Sequence, residues 1–270
     1  RLALQAALPP GAARNAVDCA LWDLEAKKAG VPAWELAVLD APGPEVTAYT
    51  LSLATPDKME TQAAENAFRP LLKTKLGGGD EDVARIEAVR RGAPEARIIV
   101  DANEGWTLEG ALERLEWLVS MGVELVEQPL PADQLEEMRE LRRVSPLPLF
   151  ADESVHRAAD IPQLAGAFDG INIKLMKCGG LAEARRMIAV ARAHGMQVML
   201  GCMVESSLAI TAAAHLSPLV DHADLDGNLL PFPKQRVASS DLERVGLPGK
   251  RVLIVENESC QHQLPRLSDT

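Results

Sequence analysis

Short aliphatic runs alternate with amphipathic stretches at a nearly constant interval along this chain. Eight candidate strands, rich in β-branched and aliphatic residues, cover 46–53, 71–77, 96–103, 123–130, 147–154, 170–177, 197–205 and 221–230. Four of the intervening stretches place apolar residues at helical spacing and end near Gly or Pro, at 80–94, 107–122, 133–145 and 181–195. The pattern predicts that strand and helix alternate throughout.

The interval between equivalent points of this repeat matches one strand, one loop and one helix. Lys75 to Asp101 is 26 residues, Asp101 to Glu127 is 26, Glu127 to Asp152 is 25 and Asp152 to Lys174 is 22. Eight such units predict an α/β protein built as a (β/α)8 TIM-type barrel. A doubly wound open sheet is the alternative fold, but no GxGxxG motif follows a first strand.

Three segments are predicted from the positions of these units. The barrel occupies 46–230. In the preceding segment, 1–45, NAVDCALWDLEAKKAGVP keeps its apolar residues on one stripe and stops at Gly30 and Pro32, so we interpret it as the last helix of a preceding domain packed against the barrel. Because the sequence starts without Met, we expect it to begin inside a longer protein. The third segment, 231–270, has no assigned place in the barrel.

Composition argues against several classes of partner and location. The 28 Lys and Arg against 39 Asp and Glu give a net charge of −11, which disfavours nucleic acid and anionic membranes as partners. No apolar run of about 18 residues is present to span a bilayer, and the first residues do not resemble a signal peptide. Four scattered cysteines without a CxxC pair indicate a reducing, cytoplasmic environment.

Acidic side chains stand at the ends of three consecutive candidate strands. Asp101, Glu127 and Asp152 each follow an apolar run and precede a polar turn, which places them at the C-terminal mouth of a barrel. Converging carboxylates repel one another unless a cation lies between them, and oxygen-only ligands favour Mg²⁺ or Mn²⁺. Helix capping or pairing with Arg at the rim is the alternative for each acid taken alone. Polar residues that closely follow these acids are candidate hydrogen-bond partners or ordinary turn residues: Asn103, Gln128 and Glu153.

Lysines lie on two candidate strands that are opposite each other in an eight-membered ring. Lys73 and Lys75 are two residues apart on the second strand and so share a face, and Lys174 lies on the sixth. Two such bases can remove and return a proton at a carbon next to a carboxylate, through a metal-stabilised enediolate. The basic lysine then needs a pKa depressed toward neutrality by burial and by neighbouring cations. Solvated lysines and a Schiff-base lysine are the alternatives.

The eighth candidate strand adds a second acidic pair. Asp224 and Asp226 are two residues apart and share a face, across the mouth from Glu127. Two carboxylates there suit a substrate ammonium group, such as the amino end of a peptide. An ordinary acidic turn is the alternative.

Five motifs, taken together and in order, resemble the enolase superfamily in its muconate-lactonizing-enzyme subgroup: KTK (73–75), VDANEGW (100–106), VEQPL (126–130), ADES (151–154) and NIKLMKCGG (172–180). Within that subgroup, GCMVESS (201–207) and DLD (224–226) resemble the dipeptide epimerases. The resemblance implies a Mg²⁺-dependent isomerase of the L-Ala-D/L-Glu type that inverts an α-carbon.

The resemblance also implies a role for each candidate residue. Asp101, Glu127 and Asp152 would bind the metal, and Lys75 and Lys174 would act as the two acid/base residues. Residues implied to contact the substrate are Lys73, which would polarise its carboxylate, Asp224 and Asp226, which would hold its amino group, and Thr50 and Ser52 of the first strand.

Two departures from the family pattern bear on this interpretation. Most of the N-terminal α+β capping domain, whose mobile loop closes over the substrate, is missing, so 1–45 would be its remnant and the identity of the dipeptide is unreadable. The segment 231–270 only loosely resembles the family's closing strand and is expected to return to the capping domain. A cycloisomerase or o-succinylbenzoate synthase activity, or an inactive barrel, remains the alternative. The expected partners are a small dipeptide and further copies of the chain in a homo-oligomer.

Overall fold

Eight parallel strands in sequential order form the centre of the molecule. The computed structural model describes residues 1–79 and 81–227. Its strands are β1 Tyr49–Leu51, β2 Leu71–Lys75, β3 Arg97–Asp101, β4 Val123–Glu127, β5 Leu149–Ala151, β6 Gly170–Lys174, β7 Gln197–Gly201 and β8 His222–Asp224. Each strand pairs in parallel with its neighbour in the chain, and all eight fall within the predicted runs. The predicted barrel is confirmed.

Helices follow the strands and form the outer layer. They are α1 Leu2–Ala7, α2 Ala12–Ala29, α3 Ala33–Leu36, α4 Pro56–Glu65, α5 Glu81–Gly92, α6 Leu108–Ser120, α7 Leu135–Val144, α8 Ile161–Leu164, α9 Leu175–Cys178, α10 Leu181–Ala193 and α11 Ser207–Ala214. The four helices predicted from spacing are α5, α6, α7 and α10. Within the described part of the chain, no helix is both long and apolar enough to cross a membrane.

The first and last strands meet and bring the sheet round on itself. Thr47 forms a parallel bridge with Ala223, and the backbone N–H of Ala48 donates to the carbonyl of Ala223 at 2.9 Å. The hydroxyl of Thr47 also accepts from the N–H of Leu225 at 2.7 Å. An open doubly wound sheet has free edges, so this contact excludes the alternative fold.

Alternation along the strands separates two hydrophobic layers. One cluster fills the lumen of the ring with residues from six strands or strand approaches: Ala48, Leu71, Ile99, Leu125, Phe150 and Met199. Their neighbours in sequence, such as Leu72, Val100 and Val126, belong to a larger cluster between the sheet and the helices. Because successive side chains point to opposite faces, a residue two positions beyond a lumen residue also points inward. This parity sends the polar strand ends to one place above the lumen layer.

Phe150 is the bulkiest member of the lumen layer and is fully buried. It requires Gly170 on the adjacent strand, since a Cβ added there would lie 2.4 Å from the Cε1 atom of the ring. The ring of Phe150 also packs edge-to-face against His222, with centroids 5.4 Å apart. Apolar side chains therefore fill the lower part of the lumen, and the polar side chains of the mouth lie directly above this layer.

Helix α2 packs against α9 and α10 of the barrel. Its contact face carries buried polar residues as well as Trp22, and the side chain of Asp18 accepts from the N–H of Ala182 at 3.1 Å. It ends at Gly30 in the left-handed conformation, as its sequence predicts. Packing of this helix on the barrel is confirmed, while its assignment to a separate domain stays a prediction. The predicted segment 231–270 and the last residues of the predicted barrel, 228–230, lie outside the described residues.

Candidate active site

Inward-facing polar side chains gather at the carboxyl ends of the strands. Lys73 and Lys75 lie two and four positions beyond Leu71 of the lumen layer, and Asp101 lies two beyond Ile99. Glu127, Asp152, Lys174 and Asp224 reach the same mouth from β4, the end of β5, β6 and β8. The parity of each strand thus determines which polar residues converge.

Lys73 stands at the centre of this cluster. Its side chain is 3% exposed, and its Nζ lies 2.7 Å from Oε2 of Glu127, 2.9 Å from Oδ2 of Asp224 and 3.1 Å from Oδ2 of Asp101. Burial disfavours its charge, but these carboxylates raise its pKa well above the ordinary value. One ammonium therefore links three strand ends and neutralises part of their charge.

Glu127 is fully buried and shares its two oxygens between a cation and an amide. Oε1 accepts from Nδ2 of Asn172 on β6 at 2.8 Å, while Oε2 faces Lys73. Burial and the neighbouring charge of Asp101 raise the pKa of Glu127 to about 7, against the opposing effect of Lys73. Gly201 makes room for the amide, because a Cβ there would lie 2.4 Å from Oδ1 of Asn172.

Two lysines bind the carboxylate of Asp152, one at each oxygen. Its Oδ2 accepts from Nζ of Lys174 at 2.7 Å, and its Oδ1 accepts from Nζ of Lys177, which also donates to the Asp152 carbonyl at 2.5 Å. Its backbone N–H donates to Oε1 of Gln128 at 3.0 Å. Burial disfavours ionisation, but Lys174 and Lys177 outweigh it and hold the pKa of Asp152 well below its usual range.

Lys75 lies on the more open side of the cluster, with 38% of its side chain exposed. Its Nζ donates to Oδ1 of Asn103 at 3.1 Å and lies 3.6 Å from Oδ2 of Asp101. Asn103 also donates from Nδ2 to Oε1 of Glu153 at 3.2 Å. Asn103 thus holds the ammonium of Lys75 and is itself held by Glu153, and both were noted in the sequence.

The acidic pair of the last strand is already engaged within the protein. Oδ2 of Asp224 faces Lys73, whereas Oδ1 is buried and has no hydrogen-bond partner among residues 1–79 and 81–227. Oδ2 of Asp226 accepts from the backbone N–H of Thr50 at 2.6 Å, beside the contact between β8 and β1. Burial and the charge of Asp224 raise the pKa of Asp226. Ser52 lies one residue beyond β1 and is exposed.

The direction of the Lys174 pKa differs from the expectation for a base. Burial lowers the pKa of Lys174, but the charges of Asp152 and Glu127 raise it by more than burial lowers it. The net pKa therefore lies above that of an ordinary lysine. Lys174 in this arrangement therefore does not have the depressed pKa that a basic lysine needs. The reason is that two carboxylates act on Lys174 more strongly than the neighbouring cation Lys73 does.

The donor chemistry of the mouth fits a hard divalent cation. Oδ2 of Asp101 and Oε2 of Glu127 are buried and lack a well-aligned hydrogen-bond donor in the part of the chain that the structure describes, although Lys73 is in ion-pair contact with both. Buried carboxylate oxygens of this kind are the ligands that Mg²⁺ and Mn²⁺ take. As the side chains stand, no three His, Cys, Asp or Glu residues within 1–79 and 81–227 enclose a metal position. The predicted ligand set therefore stays a prediction.

Sequence reasoning missed two residues that contact the cluster. Asn172 could have been found, since a polar side chain two positions before Lys174 in a buried strand must point into the lumen. Lys177 carried no such signal, because in a strand extended to 177 it would face away from Lys174. The strand instead ends at Lys174, and the single turn of α9 carries Lys177 back over the mouth.

The geometry defines a class: (β/α)8 barrels that concentrate carboxylates and lysines at the carboxyl ends of their strands. Comparison with known families identifies the family within this class. Residues 57–243 match the family described as enolase C-terminal domain-like, and residues 1–37 match the N-terminal domain of the mandelate racemase / muconate lactonizing enzyme family. The chain belongs to the enolase superfamily.

Individual relatives lie among the dipeptide epimerases. The chain is 44% identical over 248 residues to an L-Ala-D/L-Glu epimerase of Bacteroides thetaiotaomicron, covering 90% of this chain and 64% of that protein. An enolase family member of Agrobacterium tumefaciens with homology to dipeptide epimerases, solved with sodium and L-Ala-L-Glu, is 50% identical with a TM-score of 0.80, covering 85% of this chain and 69% of that one. A dipeptide epimerase of Enterococcus faecalis, solved with Mg and L-Leu-L-Tyr, is 35% identical with a TM-score of 0.75, covering 81% and 64%. The chain thus spans a little under two thirds of the length of two of these relatives.

Proposed function

We propose that this chain carries the active site of a Mg²⁺-dependent dipeptide epimerase that inverts the α-carbon of the C-terminal residue of a dipeptide of the L-Ala-D/L-Glu type. The observation that carries this proposal is the placement of Lys75 and Lys174. They stand at the carboxyl ends of β2 and β6, which are four positions apart in a ring of eight and so on opposite sides of the mouth. Both are inward-facing and contact the carboxylate cluster.

Two opposed lysines suit inversion because each can serve one face of a planar intermediate. One neutral lysine removes the α-proton, and the ammonium of the other delivers a proton to the opposite face. Negative charge then moves from the α-carbon to the oxygens of the substrate carboxylate as an enediolate. Lys73, deeper in the mouth and charged, is placed to face those oxygens and stabilise that charge.

Asp101, Glu127 and Asp152 are the proposed Mg²⁺ ligands, and Mn²⁺ is an alternative occupant with the same ligand preference. When bound, the metal supplies positive charge that favours ionisation next to the substrate carboxylate. Its charge would also offset Asp152 and Glu127, the two groups that raise the pKa of Lys174. The lysine would then move toward the range in which it exchanges protons.

Asp224 and Asp226 are the proposed partners of the substrate amino group. Oδ1 of Asp224 is buried and has no partner among the described residues, which supports a role as acceptor for an ammonium on the side of the mouth formed by β8. Asp226 lies two residues further along and is fixed by Thr50. Thr50 and Ser52 are proposed to line the pocket beside them. The acidic pair favours a dipeptide over a substrate that has no amino group.

The compartment and the oligomeric state of the protein are also proposed. Scattered cysteines support the cytoplasm as its compartment. We also propose that the chain forms a homo-oligomer and that 1–45 belongs to a capping domain. Light scattering of the purified chain measures the first of these directly.

The test is proton exchange in D₂O. A library of L,L-dipeptides is incubated with the chain, with and without Mg²⁺, and is then examined by mass spectrometry and chiral chromatography. We expect a gain of about one dalton, the mass of one exchanged hydron, in a subset of dipeptides, with both epimers formed only when Mg²⁺ is present. The double variant Lys75→Ala/Lys174→Ala is the control and should give no exchange. A chain that binds Mg²⁺ yet exchanges no dipeptide would contradict the proposal.

A further inference from the structure

Lys177 contacts the candidate site although neither the motifs nor the comparisons assign it a role. Its Nζ donates to two acceptors of one residue, the carboxylate Oδ1 and the backbone carbonyl of Asp152, the latter at 2.5 Å. Its side chain is only 13% exposed. A single ammonium that bridges the main chain and side chain of Asp152 restricts rotation of that carboxylate.

The segment that carries Lys177 is itself held firmly. The one-turn helix α9 begins directly after Lys174 and ends at Gly179 in the left-handed conformation. Arg14 of α2, 5% exposed, donates to the carbonyls of Cys178 at 2.5 Å and Gly179 at 3.2 Å. Gly179 has no side chain, which allows this approach, since a Cβ there would lie 2.4 Å from Nε of Arg14.

Lys174 and Lys177 bind different oxygens of the Asp152 carboxylate. Lys174 takes Oδ2 at 2.7 Å, and Lys177 takes Oδ1 together with the backbone. A proton-transferring Lys174 must be able to leave its oxygen and face the substrate, so it cannot also be the group that fixes Asp152. Lys177 is carried by the single turn of α9 and also donates to the backbone carbonyl of Asp152, so it can stay in place.

We propose that Lys177 is a positioning residue that acts through Asp152: it orients this carboxylate for Mg²⁺ and leaves Lys174 free for proton transfer. The inference rests on the proposed function, because it takes Asp152 as a metal ligand and Lys174 as an acid/base residue. It adds a residue that touches neither the substrate nor the metal.

Orientation and charge predict opposite effects of removing Lys177, which makes the inference testable. As a point charge beside a metal ligand, Lys177 repels a cation, so its loss should tighten Mg²⁺ binding. As a positioning group it holds the ligand in place, so its loss should weaken Mg²⁺ binding, as losses of hydrogen bonds behind metal ligands commonly do. The sign of the change separates the two roles.

The experiment is isothermal titration of the metal-free chain with Mg²⁺ alone. Lys177→Met removes the ammonium and keeps the length of the side chain, and we expect it to bind Mg²⁺ about 10- to 100-fold more weakly. Lys177→Arg keeps a charged donor and should bind more tightly than Lys177→Met. Lys58→Met, at an exposed position on α4, is the matched control and should leave the affinity unchanged. Circular dichroism and thermal melting confirm that each protein is folded, and Lys177→Gln replaces the Met variant if that one does not fold.

Epimerisation measured across a range of Mg²⁺ concentrations adds a second readout. Saturating Mg²⁺ should restore the turnover of Lys177→Met, because bound Mg²⁺ would then hold Asp152 away from Lys174, and Lys177 itself transfers no proton. Unchanged or tighter Mg²⁺ binding by Lys177→Met would overturn the role of Lys177 while leaving the proposed function in place. A parent chain that does not bind Mg²⁺ at all would overturn the metal-dependent function and, with it, this inference.

Discussion

Removal of Lys73 tests the electrostatic balance of the site most directly. In Lys73→Met a side chain of similar length keeps the packing, but the ammonium within 3.1 Å of three buried carboxylates is lost. Removing one partner of a buried ion pair costs about 3–5 kcal/mol, since the remaining charge stays buried. For a chain of this size, a loss of that order lowers the melting temperature by about 6–20 °C.

The pH dependence of this loss follows from Glu127. Its pKa is already raised to about 7, from an ordinary value of 4.5, and Lys73 opposes the rise. Without Lys73 the pKa of the folded state rises further, so the folded variant keeps a proton that the unfolded chain releases above about 4.5. That contribution to stability is complete below the unfolded pKa and disappears as the pH rises through the folded one. The stability deficit of Lys73→Met should therefore be larger at pH 8 than at pH 5.

Urea unfolding of metal-free protein, with EDTA present, measures this deficit at the two pH values. Lys27→Met is the matched control: Lys27 pairs with Asp23 on the surface at 2.7 Å, with 74% of its side chain exposed, and such pairs contribute about 0–1 kcal/mol. Adding Mg²⁺ should restore part of the lost stability of Lys73→Met, because a ligand that binds only the folded state stabilises it. A deficit below about 1 kcal/mol, or one that shrinks as the pH rises, would refute the assignment of Lys73 as the cation that balances the cluster.

Two further predictions concern catalysis and packing. Lys75→Ala and Lys174→Ala should each abolish net epimerisation, because each base serves one face, while α-proton exchange from a single epimer survives in at least one of them; NMR of each epimer in D₂O measures this. Retained epimerisation in either variant would disprove the two-base mechanism. Gly170→Ala should destabilise the barrel by about 1–3 kcal/mol, since its Cβ would meet the ring of Phe150. Gly43→Ala, with open space around the added atom, is the control, and equal melting temperatures for the two variants would argue against a rigid lumen.

The strand order could be predicted because burial on both faces leaves a strong mark in the sequence. Strands of a parallel barrel read as short aliphatic runs, and the helices between them must return the chain to the same end, so the interval is nearly constant. The lengths of the strands were harder to predict from the sequence. The run 147–154 contains only a three-residue strand, Leu149–Ala151, because the residues beyond it leave the ladder and form turns of the mouth.

The positions of the acidic residues followed from strand parity, whereas their partners did not. Asp101 and Glu127 were placed at one mouth because each follows an apolar run, and the structure brings them both to Lys73. For Lys73 the resemblance implies a contact with the substrate carboxylate, and its contacts with three carboxylates of the protein depend on distances across the ring that no local pattern encodes. Asp226 likewise pairs with the backbone of Thr50, 176 residues away.

The anchor between α2 and the turn after α9 also bears on how the chain acquires its structure during synthesis. Arg14 and Gly179 are 165 residues apart, so at about 5–20 residues per second the helix leaves the ribosome roughly 8–33 s before its partner. A wholly apolar helix face exposed for that time would promote nonspecific association with other chains. The face of α2 carries Arg14, Asn15 and Asp18 beside Trp22, and water solvates these three polar side chains until the sixth strand and its turn are synthesised. The same polar groups then bind the helix to the barrel through directed hydrogen bonds, which are more specific than apolar contact alone.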